Sequence, residues 1–546
     1  MAPAASSSKL LVFLYDLGRP THLLSLAAVY VAYRIIHRLI LWPRYLSPLR
    51  HVPTPPYGGL IMGHSTKIIN SESGIPQREW VKEYGPVVRL VGFFGSERLI
   101  FVHPEPLHQI LAKDWLEYPR PEYLKHILGI VAGYGLLTVT GMEHRLMRRA
   151  MNPAFSIPNL TSQIHMYYDS IDGLIKILND EIEAQANPAD GKRIRVYEWM
   201  SKATLDIICE TAFGYKADSL HNPENELAVA YENLLSLQTG LNIAKLLLLM
   251  LVPGMPRLLN TEWAYRHRHW FGLTNLTKQV TTLIDSMHTI KAVSVRLLSE
   301  KMNDSIALSD IEAKRDIMSL LVRARKADLE KDSTAYAMSD KAMVDQVLTF
   351  LGAGHETTAS GLTWTLWLLA NDRESQQKLR EEATQVLNQD THPDYRTLKE
   401  LQWLDCVVME SLRVLPPVPM TIRTSTKSDY IGGVFAPKGT TFYIPIRVVN
   451  TYKGIWGEDA EEFRPSRWLN LPKEYHSNYS MLSFIAGPHG CIGKTMAIME
   501  MKAVLLHLVA NFTFEPAYEG QVTQPAAAIT MKPTDGMPLL VKRVIR

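Results

Sequence analysis

Apolar positions recur along most of this 546-residue chain with the 3.6-residue period of helices, and only in short stretches with the alternation of strands. The helical period is plainest over residues 159–186, 196–213, 263–304, 340–370, 372–388 and 398–414. Residues 87–91 and 97–102 alternate or cluster apolar side chains around Gly92-Phe93-Phe94-Gly95, which predicts a hairpin. Further short strands are predicted at 430–435 and 440–445, with a strand-like run at 481–485. The polar, charged stretch 326–339 predicts an exposed loop ahead of the long central helix. No internal repeat appears, and the pattern is that of a mainly α chain with a small β portion.

Residues 10–46 are mostly apolar but interrupted. The cleanest run, 22–33, is shorter than the ~20 residues a spanning helix needs. Extending it to Trp42 reaches that length and takes in Arg34, His37 and Arg38, whose side chains can snorkel to the interface. One helix over about 20–42 is therefore expected, with an amphipathic helix lying in the interface as the alternative. Arg34, Arg38, Arg44 and Arg50 trail the segment, against Lys9 and Arg19 ahead of it, which predicts a body in the cytosol. Pro48, Pro53, Pro55 and Pro56, then Gly58-Gly59, predict a stiff-then-flexible hinge. The expected division is an anchor with its flanks at 1–47, the hinge at 48–59 and a globular body at 60–546.

Composition narrows the function classes. A net charge of +3 and a pI near 8.5 are too mild to argue for nucleic acid. Three cysteines (Cys209, Cys406 and Cys491) argue against a disulfide framework and for a reducing compartment. Cys209 and Cys406 sit in apolar helical patterns and read as packed thiols.

Cys491 is different. It stands in the loop Phe484-Ile485-Ala486-Gly487-Pro488-His489-Gly490-Cys491-Ile492-Gly493, just ahead of a helix-forming run at 494–508. A thiolate is a soft iron ligand, and glycines let backbone N–H groups approach the sulfur. Gly493-Lys494-Thr495 also looks like the end of a phosphate-binding loop, but the first glycine of that pattern falls on Pro488. A zinc site would want paired ligands, and no Cys-x-x-Cys exists. In the central helix, Ala353-Gly354-His355-Glu356-Thr357-Thr358 offers small residues that would admit a flat macrocycle, then two hydroxyls expected to weaken the helical ladder. His-Glu-x-x-His fails there because residue 359 is Ala. Glu410 and Arg413 share a helix face ahead of Phe463-Arg464-Pro465-Ser466-Arg467-Trp468. Taken singly, each has a plainer reading as a packed thiol, an ordinary threonine pair or a solvated ion pair.

Taken in order, these motifs resemble those of the cytochrome P450 superfamily, in particular its fungal-type microsomal members. Phe484, Gly487, Cys491 and Gly493 match the haem-ligand signature Phe-x-x-Gly-x-x-x-Cys-x-Gly, and residues 353–358 are similar to the oxygen-activation motif. The resemblance implies a mainly α fold with small β-sheets, the P450 fold, behind the membrane anchor. It implies haem b with Cys491 as the thiolate ligand of the metal, Thr357 holding dioxygen and water, and Glu356 relaying protons. Glu410, Arg413 and Arg467 would form the structural triad. Arg148, Arg423, His144 and His489 would face the haem propionates, with His144 where Trp is usual and His489 where Arg is usual.

The implied reaction inserts one oxygen atom from O2 into an apolar small molecule (terpenoid, sterol-like or fatty) in secondary metabolism. No flavin domain is attached, so electrons would come from NADPH through a separate NADPH–cytochrome P450 reductase, with cytochrome b5 as a further donor. The partner would dock near Cys491 and Lys494, on an enzyme anchored in the endoplasmic reticulum membrane and facing the cytosol. Segments 118–139, 234–253 and 418–422 are expected to line the pocket, while the leucine run at 246–251 reads equally as pocket wall or as lipid or core contact. The rivals are a nucleotide hydrolase using Lys494 and Thr495, a non-catalytic haem or lipid carrier, and an isomerase or dehydratase acting on a peroxide.

Overall fold

A computed structural model describes residues 20–237, 249–250, 252, 254–272, 278–307, 316–330, 338–526 and 529–544. In chain order, the elements that frame the site begin with α1 (Pro20–Ile36), β1 (Val87–Val91), β2 (Glu97–Phe101), α2 (Glu122–Ala132) and α3 (Gly141–Met151). They continue with α4 (Tyr168–Glu183), β3 (Lys192–Arg195), α5 (Val196–Phe213), α6 (Lys278–Ala307), α7 (Asp340–Asn371), α8 (Arg373–Leu387) and α9 (Gln402–Val414). The last are β4 (Thr421–Thr424), β5 (Asp429–Ile431), β6 (Val434–Ala436), β7 (Thr441–Ile444), α10 (Lys494–Asn511), β8 (Phe512–Pro516) and β9 (Pro538–Arg543). The chain is mainly helical with small sheets, as its apolar period predicted.

The longest helix is α7, 32 residues started by Ser339, whose hydroxyl accepts the Ala342 N–H at 3.2 Å. It is buried on most sides and serves two cores. Its C-terminal half packs through Leu362, Trp364 and Leu366 against α4, α9 and α10. Its N-terminal half packs through Val347, Phe350 and Leu351 against α5 and α6. A third core lies on a four-stranded sheet ordered β1-β2-β7-β4, where Leu99, Phe101, Phe442 and Ile444 meet.

Several predicted elements are re-cut by contacts from afar. The helix expected over 398–414 breaks at Leu401, because the Glu382 carboxylate of α8 takes the N–H groups of Trp403 (3.0 Å) and Leu404 (2.8 Å) and starts α9 there. The 159–186 helix is interrupted by a 3₁₀ turn at Ile164–Tyr167. The 263–304 helix breaks into short helices before α6, with 273–277 outside the described residues. Residues 430–435 are a hairpin rather than a strand. Gly432 (φ +51°) and Gly433 (φ +79°) supply the two left-handed residues of a tight turn joining β5 to β6. Residues 481–485 are a loop, since Leu482 N–H is taken by Asn450 Oδ1 (2.7 Å) instead of a neighbouring strand. The predicted loop 326–339 begins as helix through Glu330, and 331–337 lie outside the described residues.

At the amino end, Leu24–Leu46 is the one helix among the described residues long and apolar enough to cross a membrane, with mean hydropathy 1.5. Beyond α1 it widens into a π-helix over His37–Leu46, where Pro43 lacks the N–H an α-helix would use. That widened end touches the body. Trp42 Nε1 donates to Glu97 Oε2 (2.8 Å), and Arg38 Nε to the Phe94 carbonyl (3.2 Å). The proline segment after it is also tied down, with Arg89 N–H on the Pro53 carbonyl (2.8 Å) and the His64 ring on that of Pro55 (3.0 Å).

Candidate active site

The cysteine loop closes on itself immediately before α10. Cys491 N–H donates to the Phe484 carbonyl (2.8 Å) and Gly490 N–H to that of Gly487 (2.9 Å). Gly487 holds φ +74°, and a Cβ there would lie 2.1 Å from the Leu111 carbonyl oxygen, so both conformation and space demand glycine. Ile485, a β-branched residue, is held at φ +56°, which costs roughly 1–2 kcal/mol. Cys491 keeps surface open to solvent. Burial among its neighbours nevertheless pushes its thiol pKa up, against the Gly493 N–H and the charges of Arg148 and Lys494. Such a sulfur stays a neutral thiol until a metal displaces the proton.

Beside the loop stands a knot of cations. From α3 come His144 and Arg148, from β4 Arg423 and from the loop His489. Arg120 and Trp115 come from the segment between β2 and α2. The His144 and His489 rings are 3.9 Å apart, and the Trp115 ring lies 5.8 Å and 5.3 Å from them. Arg148 Nη1 donates to the Gly490 carbonyl, and Arg120 Nη1 lies 3.3 Å from His489 Nδ1. Among the described residues, neither Arg120, Arg148 nor Arg423 meets a carboxylate. Burial lowers Arg120 to about 10. Burial and then the charge of Arg120 carry Arg423 well below its ordinary value. Burial and then the same arginines take His144 down to about 4 and His489 lower still. Arg423 Nη2 and His144 Nδ1 are buried with no hydrogen-bond partner.

Crowded guanidiniums and orphaned donors are an anion site. Two carboxylates on a flat macrocycle lying by Cys491 would answer them, so the donor set fits haem. The structure brings Cys491, His489, His144, Arg148 and Arg423 together, as the sequence motifs implied. It adds Arg120, which no motif marked. Thr424 N–H on Pro119 O and Thr426 N–H on Glu117 O, both 2.9 Å, lay residues 117–120 along the end of β4. The local signal was a cation between two prolines, Pro119-Arg120-Pro121, held in extended backbone.

Glu356 and Thr357 form a separate group on α7. Ala353 and Thr357, one turn apart, are partly open, while His355 and Glu356 are buried on the other side. Thr357 Oγ1 donates to the Ala353 carbonyl (2.7 Å) and Thr358 Oγ1 to that of Gly354 (3.0 Å). Each hydroxyl competes for a backbone carbonyl one turn back, while the helix runs unbroken through both. One expectation changes here. Gly354 serves the packing of α5, since a Cβ on it would come within 2.6 Å of Ile208 Cγ1. Burial raises the Glu356 pKa, offset by the Thr530 hydroxyl bonded to it and the charge of Lys532.

The ion-pair motif is a completed cluster. Arg413 forks onto Glu410 at 2.7 and 2.8 Å, and Arg467 Nε reaches the same carboxylate at 3.2 Å with Trp468 Nε1 at 3.0 Å. Arg413 also donates to the Asn450 carbonyl (3.0 Å), and the Asn450 side chain holds Leu482 and Ser483 at the start of the cysteine loop. Near the N-terminal half of α7, a cavity of about 660 Å³ is lined by apolar side chains such as Ile130, Ile290 and Leu348 and by the charged Arg257, Lys291, Lys341 and Asp345. Segment 118–139 contributes to it and 418–422 does not. Most of the leucine run lies outside the described residues. Among the described residues, no group of three or more His, Cys, Asp and Glu side chains could hold a metal ion.

Comparison with known proteins gives the same picture. The family Cytochrome P450 matches residues 53–539. The chain is 32% identical to cytochrome P450 monooxygenase 205 of Postia placenta, over 91% of this chain and 93% of that one. It is 32% identical to monooxygenase 128 of the same fungus, over 95% and 96%. It is 30% identical to cytochrome P450 monooxygenase sphH of Aspergillus fumigatus, over 92% and 90%.

Proposed function

Because the chain belongs to the cytochrome P450 family and is a P450 monooxygenase, we propose that Cys491 is its haem ligand and that it oxidises an apolar molecule taken from a membrane. The observation that carries this reading is the conjunction of an accessible thiol ahead of α10 with the buried Arg120 and Arg423 and the half-buried Arg148, none of which meets a carboxylate among the described residues. Haem bound through a thiolate supplies dioxygen activation by O–O cleavage. Arg120, Arg148 and Arg423 hold the propionates, with the neutral His144 and His489 as hydrogen-bonding groups in place of a tryptophan and an arginine. Phe484 and Gly487 shape the turn that presents the sulfur, and the Gly493 N–H tunes it. Thr357 Oγ1 would hold dioxygen and water at the reacting centre, and Glu356 would supply protons to it.

The family takes its electrons from a redox partner. For this chain we assign NADPH–cytochrome P450 reductase, with cytochrome b5 as a second donor, docking around Lys494. Residues 1–47 anchor the enzyme, 48–59 lead off the membrane and 60–546 form the catalytic body, on the cytosolic face of the endoplasmic reticulum. The apolar part of the cavity lining supports a terpenoid, sterol-like or fatty substrate of secondary metabolism, and Arg257, Lys291, Lys341 and Asp345 in the same lining suit a polar group on it. Spectral titration of the haem enzyme with a panel of such molecules tests the substrate class. Saturable displacement of the ferric haem's water ligand by apolar members is expected. Displacement only by small polar compounds would overturn it.

A further inference from the structure

The buried acid of α7 is gripped by a strap from the far end of the chain. Met531 N–H donates to the Pro417 carbonyl (2.7 Å), and the Met531 carbonyl accepts both Ser360 Oγ (2.7 Å) and Trp364 Nε1 (2.5 Å). Residues 356, 360 and 364 fall on one face of α7, so the strap runs along that face. At its start the Thr530 hydroxyl donates to Glu356 Oε1. Burial raises the Glu356 pKa, the charge of Lys532 (7% exposed) offsets part of that rise, and the carboxylate in turn supports the ammonium against burial. From α5, the buried Tyr197 hydroxyl has no hydrogen-bond partner and feels the Glu356 charge. Tyr231, packed edge-on to His355 at 4.6 Å, has an orphaned hydroxyl and feels the same charge.

A tether alone does not account for an acid here. Met531 already fastens the strap through three hydrogen bonds, and Gln at 356 would accept from Thr530 without the cost of burying a carboxylate. We propose that Thr530 and Lys532 are positioning residues of the oxygen-activating site. The hydroxyl aims Glu356, and the ammonium holds it as a carboxylate that can be loaded with a proton and discharged towards Thr357. A proton leaving Glu356 is replaced by one drawn from water, so charge is conserved over the cycle. This inference rests on the P450 reading of α7.

The test uses the haem-loaded full chain as wild type, Glu356→Gln, Thr530→Val, Lys532→Met and Lys532→Arg. The infrared band of the protonated Glu356 carboxyl, identified by its loss in Glu356→Gln, is followed against pH. The pH profile of NADPH-driven oxygen uptake with reductase is measured alongside. Lys532→Met is expected to move both midpoints up by about one pH unit, a tenfold change in proton affinity. Thr530→Val should move them less in the same direction, and Lys532→Arg should restore them. Unmoved or lowered midpoints in both Thr530→Val and Lys532→Met would overturn the proposal. Should Lys532→Met fail to fold, Thr530→Val decides it alone: raised midpoints are expected, and unmoved or lowered ones overturn the proposal. A wild type lacking the carbon monoxide band of a haem thiolate would instead sink the P450 reading, while the carboxyl titration would still report on the strap.

Discussion

Arg120 Nη1 sits 3.3 Å from His489 Nδ1, two residues before the candidate ligand Cys491. The contact supplies from another strand of the chain the positive charge that the cysteine loop lacks at position 489. Arg120→Gln should therefore weaken haem retention by about 10- to 150-fold, since a hydrogen bond to a charged group is worth roughly 1.5–3 kcal/mol. Haem transfer to apomyoglobin measures it, and an unchanged transfer rate would remove Arg120 from the propionate site.

The Glu410–Arg413 pair is fully buried, whereas Lys67–Glu79 at 2.7 Å is about half exposed. Arg413→Ala removes the forked partner of a buried carboxylate, leaving it only Arg467, Trp468 and the Arg464 N–H, and should cost about 3 kcal/mol and sharply reduce haem-containing protein. Lys67→Ala should change stability by less than ~0.5 kcal/mol. Thermal melts and haem content of the two variants, read together, check that burial rather than pairing sets the cost.

Much of this was legible in the sequence, for local reasons. The loop glycines, the thiol ahead of α10 and the Glu410–Arg413 spacing are all set within a turn or two. What stayed hidden depends on contacts between distant segments. Glu382 restarts a helix at residue 402, β4 draws Arg120 beside Arg423, and Thr530 reaches back 174 positions to Glu356. Gly432-Gly433 was a readable turn signal that the apolar residues around it obscured.

Glu500 of α10 is 2% exposed, its Oε1 has no partner, and burial raises its pKa well above the ordinary 4.5. A carboxyl whose folded pKa is raised binds its proton more tightly folded than unfolded. Its contribution to stability is full below pH 4.5 and falls as pH rises towards the folded pKa. Glu500→Gln escapes that loss. It should be more stable than wild type at pH 7 by up to ~3 kcal/mol, with the gap narrowing by about 1.4 kcal/mol per pH unit on acidification. Denaturation midpoints between about pH 5.5 and 7.5 test the slope. A gap independent of pH would mean that Glu500 is ionised in the fold.

Gly487→Ala places a methyl 2.1 Å from the Leu111 oxygen at a positive φ. The loop must shift, so the variant should fold with reduced haem content and a displaced sulfur. Gly59→Ala, in the proline–glycine segment far along the chain from the loop, meets no atom within 4 Å at an ordinary φ and should bind haem as wild type does. Haem-to-protein ratios for the two variants check the contrast.

The central claim is that Cys491 binds haem iron as a thiolate. The most direct measurement is the carbon monoxide difference spectrum of the dithionite-reduced protein beside Cys491→Ala. The account predicts a Soret band near ~450 nm in wild type, absent from the variant. A wild-type band near ~420 nm, or a ~450 nm band that survives in Cys491→Ala, would contradict it.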